Sequence, residues 1–213
     1  MIYFCLEHYR LNTAGLNRFL ALTRAVKAQG VDSQIIIFRP NRNFELLPQA
    51  DYYPPATYLW NKPQFGNRLF NRLAFIRDLV LERPRVKRFA KALTNKDSLY
   101  IYTGYNDPTF LHFFLGRGCK VYCEKTEHPY LGDSKILEIM NIRAMKQWTN
   151  LTGVFVISTA LKQFFMDLGI SEDRITILNM FADATRFDRL KKSADRERYI
   201  AYCGTVSNNK DGV

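Results

Sequence analysis

The sequence predicts an α/β protein built on a Rossmann-like parallel sheet with flanking helices. Three observations carry that expectation. Short apolar runs of strand length alternate along the chain with segments of helical period, the order that makes strand–helix–strand crossovers. One run, Ile35-Ile36-Ile37, is apolar without alternation, as in parallel strands buried on both faces. The chain has 213 residues, 47% of them hydrophobic, enough to bury a core without a disulfide or metal staple.

Each element follows from local residue chemistry. Ile2 to Leu6 is a short apolar run of strand length. Asn12 or Thr13 can cap a helix with apolar positions Leu16, Phe19, Leu20 and Val26, which Gly30 ends. Ser33 to Phe38 is the next strand. Pro40 to Pro63 reads as loop, with a short strand near Tyr58 to Trp60. Two basic helices follow, 66–82 and 85–94, with Pro84 placed to open the second. Ser98 to Thr103 is a strand, and a helix runs from Pro108 to Leu115. Lys120 to Cys123 is a strand, and Ser134 can cap a helix reaching Trp148. Gly153 to Ile157 is a strand. Leu161, Phe164, Phe165 and Leu168 mark a helix stopped by Gly169. Arg174 to Leu178 and Tyr199 to Cys203 complete the strands. Residues 1–194 are expected to form one domain, and 195–213 a linker and the first strand of another.

Charge and composition narrow the function. The formal net charge is +11. Between Lys62 and Lys96 ten Lys or Arg face only Asp78 and Glu82. Such a field suits an anionic partner, or simply a well-solvated helix surface. On a helical wheel Leu69, Leu73, Ile76 and Val80 form the main apolar arc, expected to face the core. Arg68, Arg72, Phe75 and Leu79 lie opposite, a candidate face for an anionic membrane surface. No run of about 18 apolar residues would span a bilayer, and no secretory leader is recognisable. Cys5, Cys119, Cys123 and Cys203 lack zinc-finger spacing and are expected to be reduced, in a cytoplasmic protein. No metal or cofactor is implied. The chain has no G-x-G-x-x-G, no P-loop and no G-x-S-x-G elbow.

In an open parallel sheet, ligands bind outside the carboxyl ends of the strands. That rule selects Glu7, His8, Asn12, Thr13 and Gly15 after the first strand, and Gly104, Tyr105, Asn106 and Asp107 after Ser98–Thr103. The densest cluster is Cys-Glu-Lys-Thr-Glu-His-Pro at 123–129, with Glu124, Glu127 and His128 as candidate catalytic residues. The competing reading is a polar strand-end loop in which a glutamate caps the next helix. If the cluster serves a reaction, removing these side chains should cost activity and leave stability nearly unchanged.

The carboxyl third resembles glycosyltransferase family 4. Val154-Phe155-Val156-Ile157-Ser158 is similar to that family's strand-then-serine. Gly169-Ile170 with Asp173-Arg174-Ile175-Thr176-Ile177-Leu178-Asn179 resembles its "Gly-Ile … Lys-Ile-x-Val-Ile-Pro-Asn" stretch, and Asp183 and Phe187 fall where it has "Gly-Val-Asp … Arg-Phe". Tyr199 to Gly204 with Lys210 to Val213 is similar to the opening of the donor-binding domain. Thr205 stands where the family often has Arg, and Glu124 where some members have His. The resemblance implies the N-terminal half of a GT-B two-domain enzyme. Such a hexosyltransferase would transfer a sugar from a nucleoside-diphosphate sugar to an acceptor hydroxyl with retention, in cell-surface polysaccharide or glycolipid synthesis.

On this reading Gly204 and Lys210 hold donor phosphate, and the acceptor is a carbohydrate or lipid-linked molecule. The missing C-terminal domain is a partner, and this stretch alone is inactive. The enzyme would be cytoplasmic, peripheral on the inner face of the membrane. The alternative is a non-enzymatic basic module for nucleic acid or anionic surfaces, with Phe65, Phe70, Phe75 and Phe89 stacking on bases. No nucleic-acid motif supports it.

Overall fold

In the computed structural model the described residues are 1–7, 9, 11, 13–41, 43–48, 50–61, 68–103, 110–126 and 145–179. They belong to one compact unit, Met1–Asp183; residues 184–213 form a second, outside the described residues.

Among the described residues seven parallel strands form one sheet. They are β1 (Ile2–Leu6), β2 (Ser33–Ile37), β3 (Ala56–Tyr58), β4 (Ser98–Thr103), β5 (Lys120–Lys125), β6 (Gly153–Val156) and β7 (Ile175–Ile177), in the order β3-β2-β1-β4-β5-β6-β7. Four α-helices are described: α1 (Ala14–Ala28), α2 (Arg68–Ala92), α3 (Leu111–Phe114) and α4 (Thr159–Asp167). Strand order reverses between β1 and β4. Their carboxyl ends therefore flank the crevice that such sheets leave for a ligand.

Alternating side chains feed two apolar layers. Phe4, Leu6, Ile35, Ile37 and Tyr100 pack under Leu16, Phe19 and Leu20 of α1. Cys5, Ile36, Leu99, Ile101, Val121 and Cys123 pack on the opposite face with Val86 and Ala90 of α2, Phe114 of α3, and Leu161 and Phe165 of α4. The Ile35–Ile37 run is buried throughout, on both faces, as its composition required.

The caps match the residues that form them. Thr13 takes the Leu16 N–H at 3.3 Å and Ser158 the Leu161 N–H at 3.3 Å, so both hydroxyls start helices. Gly30 and Gly169, at φ +72° and +96°, follow the ends of α1 and α4.

Several expectations need correction. The strand expected at Tyr58–Trp60 lies at Ala56–Tyr58. Lys120–Cys123 extends to Lys125. The two basic helices are one, running through Pro84. Proline removes a single helical N–H, and the carbonyl that loses it belongs to Val80, which is 72% exposed and so open to water. Arg85 Nη1 donates to Asp78 Oδ1 at 2.8 Å and bridges the turns on either side of the proline.

The rotation of α2 is also opposite to that expected. Its inner face carries Asp78 and Glu82, 1% and 3% exposed, while Leu73, Ile76 and Val80 point outward. Ion pairs override the apolar arc: Arg39, after β2, donates from Nε to both Glu82 oxygens at 3.1 and 2.9 Å, and Arg85 holds Asp78. Phe75 is half-buried, edge-on to Phe44, whereas Arg72 and Leu79 are exposed. The Arg68 side chain, the expected strand at 199–203, and residues 108–109 and 134–144 of two expected helices lie outside the described set.

Candidate functional site at the strand carboxyl ends

The chemistry at this end of the sheet centres on a buried ion pair. Glu124 is the fifth residue of β5, level with Tyr102 of β4 and Phe155 of β6. Strand alternation puts it on the α1 face. From α1, Arg18 Nε donates to Glu124 Oε1 at 2.5 Å, and both side chains are 1% exposed. The other guanidinium nitrogens reach the chain leaving β7: Nη1 donates to the Asn179 carbonyl and Nη2 to the Leu178 carbonyl, each at 2.8 Å. One side chain thus joins the first helix, the fifth strand and the exit from the last strand. A planar fork with several fixed donors suits that task.

Burial pushes the Glu124 carboxyl above its ordinary range, and the charge and hydrogen bond of Arg18 pull it back in part. Glu124 was expected in a loop, reaching into the crevice, with its removal nearly neutral for stability. It is instead an inward strand residue beneath α1. The strand runs two residues longer than its apolar core, and Arg18 pairs with this carboxylate inside the fold. Lys125, which ends the strand, is also fully buried.

A second charged group stands at the β1/β2 end. Glu7 follows β1 and accepts from Arg39 Nη2 at 3.3 Å, while Arg39 also holds Glu82 at 2.9 Å. Glu7 and Arg39 are partly exposed, at 12% and 29%, so this pair borders solvent where the Arg18 pair does not. Desolvation raises the Glu82 carboxyl; Arg39 opposes that rise and the Glu7 charge adds to it.

Gly15 has a steric reason to be glycine. A Cβ built there would lie 2.6 Å from the Tyr102 hydroxyl oxygen, closer than any real contact, and the Tyr102 ring is braced edge-on by Phe19. Gly15 therefore lets the start of α1 seat directly against the carboxyl end of β4, beside the crevice. The Thr13 hydroxyl receives the first-turn N–H of that helix. His8, Asn12, Gly104, Tyr105, Asn106, Asp107, Glu127, His128, Gly204 and Lys210 lie outside the described residues. Cys5, Cys119 and Cys123 are free thiols. Among the described residues no group of His, Cys, Asp and Glu is placed to hold a metal ion, and no helix is long and apolar enough to cross a membrane.

Arg18 and Arg39 were not singled out from the sequence; the strand-end rule reached Glu7 but not its partner. Helical period places Arg18 away from the Leu16–Leu20–Thr23 arc, where a charged residue reads as solvated. It is covered by backbone 160 residues later in the chain, which no local signal announces.

No protein-family model matches the chain, and no curated protein matches its sequence. Solved structures do match in fold. One is Alr3699/HepE from Anabaena in complex with UDP and glucose, at 12% identity and a TM-score of 0.50, covering 88% of this chain and 46% of that one. Another is the same protein in complex with UDP-glucose, at 13% identity and a TM-score of 0.50, covering 87% and 45%. At these identities the likeness is one of fold. The chain spans less than half the length of those structures, in keeping with half of a two-domain GT-B-like architecture.

Proposed function

We propose that this chain is the acceptor-side half of a glycosyltransferase that uses a nucleoside-diphosphate sugar, of the family 4 type. The observation that carries the reading is the fold of this parallel-sheet unit, which is similar to about half of a protein whose complexes hold UDP, glucose and UDP-glucose. The ordered resemblance over 153–213 supports the same assignment and, with it, retention at the anomeric carbon. The reaction breaks the bond from that carbon to a diphosphate oxygen. A bond forms from the same carbon to the acceptor hydroxyl oxygen, whose proton passes to a base.

Catalysis of this kind needs charge stabilisation at the departing diphosphate and a fixed hydroxyl. Lys210 and the backbone at Gly204 serve the diphosphate. Glu127 and His128, just beyond β5, orient the acceptor together with Asn12, Thr13, Tyr105 and Asn106, while Gly15 and Gly104 give the backbone room. Glu124 is a positioning residue: paired with Arg18, it fixes the end of β5 from which Glu127 and His128 extend. The product belongs to cell-surface polysaccharide or glycolipid synthesis on the cytoplasmic side.

The test is release of nucleoside diphosphate from a panel of UDP- and other nucleotide-sugars by the complete protein, with sugar and lipid-linked acceptors. Glu127→Gln or His128→Asn should lower kcat by about 10²–10⁴. Wild-type turnover in both variants would remove the acceptor cluster from the mechanism. No turnover with any donor, under conditions where the protein is folded, would overturn the assignment.

A further inference from the structure

The outward face of α2 is apolar in its first half and basic along its whole length. Leu73, Ile76 and Val80 stand on one arc and are 55%, 57% and 72% exposed. Continuing the same helical period, Lys87 and Lys91 follow on that arc, with Arg72 and Arg83 on one flank and Arg77 and Arg88 on the other. All six of these basic residues are exposed. Both acidic residues of α2, Asp78 and Glu82, are turned inward and held by Arg85 and Arg39. The outer surface of the helix therefore carries cations and aliphatic side chains and no carboxylate.

A soluble domain gains nothing from solvating three large aliphatics in a row while burying two carboxylates behind them. The ion pairs fix the rotation that produces this arrangement, so it is built into the fold. We propose that the outer arc of α2 docks on a bilayer surface rich in anionic headgroups. Leu73, Ile76 and Val80 enter the headgroup–acyl boundary, and Arg72, Arg77, Arg83, Lys87 and Lys91 meet the headgroup charge. Charge complementarity selects this occupant. A twofold copy of the same face would set this basic group against itself, which disfavours a dimer through α2. A nucleic acid would use the cations and leave the aliphatic arc in water.

The experiment is vesicle flotation of the full chain, with phosphatidylcholine alone and with phosphatidylcholine containing phosphatidylglycerol, at low and high salt. Binding should need the anionic lipid and weaken as salt screens the headgroups. The double variant Ile76→Ser/Val80→Ser should bind at least about tenfold more weakly, since its apolar anchor is gone. Its thermal midpoint should stay at the wild-type value, because both side chains are exposed. Equal flotation with neutral and anionic vesicles, or undiminished flotation of the double variant, would overturn the proposal. So would a sedimentation dimer that the double variant abolishes, or oligonucleotide binding that the double variant keeps while vesicle binding is absent.

Discussion

A guanidinium taken fully out of water is expensive unless its donors are spent on acceptors that have nowhere else to turn. Arg18 meets that condition with one carboxylate oxygen and two backbone carbonyls. Removing one member of such a pair leaves a buried charge unmatched. Arg18→Met should therefore lower unfolding stability by about 3–5 kcal/mol, and Arg18→Met/Glu124→Leu should lose less than the single variant. Urea unfolding of the three proteins measures it; a double variant weaker than the single would show that Glu124 is held by something other than Arg18. The acid–base behaviour of the second pair has a definite sign. Glu82 has a folded carboxyl raised above its ordinary 4.5, so the folded chain keeps a proton that the unfolded chain gives up. Its contribution is fully present below 4.5 and is lost as pH climbs through the raised folded value. Glu82→Gln should flatten that decline in unfolding curves taken across the same window.

At the scale of elements, what a reader of the sequence can see is what local chemistry decides. β1, β2 and β4 are bounded by apolar runs, α1 by a capping hydroxyl and a glycine, and α4 by its apolar period and a glycine; all were legible, though the Ser158 cap of α4 was not. The ends of β5 and α2 were not. β5 continues past Cys123, where a cation from α1 pairs with Glu124 inside the fold. The first half of α2 faces inward with its acids because Arg39, more than forty positions earlier in the chain, binds Glu82. Local periodicity cannot register a partner so distant in sequence. Pro84 misled for a related reason: its missing N–H falls on the wet side of the helix, where interruption is tolerated. Pro84→Ala restores that bond at an exposed position and should stabilise the chain by about 1–3 kcal/mol. A lower denaturation midpoint in the alanine variant would mean that the proline sets a bend that the ion pairs of α2 require.

At the scale of the molecule, the sheet order decides where function can be. The reversal between β1 and β4 puts Glu7, Gly15 and Tyr102 around one crevice, and Arg18 ties that region to the exit of β7 at Leu178 and Asn179. The candidate site was only partly legible. The rule for strand ends found Thr13, Gly15 and Glu124, but it could not tell a side chain that borders the crevice from one sealed beneath α1. Under the proposed assignment, the division of labour follows from the resemblance over 199–213. The donor diphosphate is held chiefly by the domain to which Gly204 and Lys210 belong, and the parallel sheet described here holds the acceptor. A diphosphate bound by only one lysine and a loop loses most of its partners. Its affinity for the 213-residue chain should therefore be weaker than about 1 mM, the range in which a few isolated contacts leave a ligand once its motional entropy is lost. Calorimetric titration with nucleoside diphosphates and their sugars measures this directly. Micromolar binding would mean that the crevice between β1 and β4 is itself a complete donor site, and the acceptor-side assignment would have to be given up.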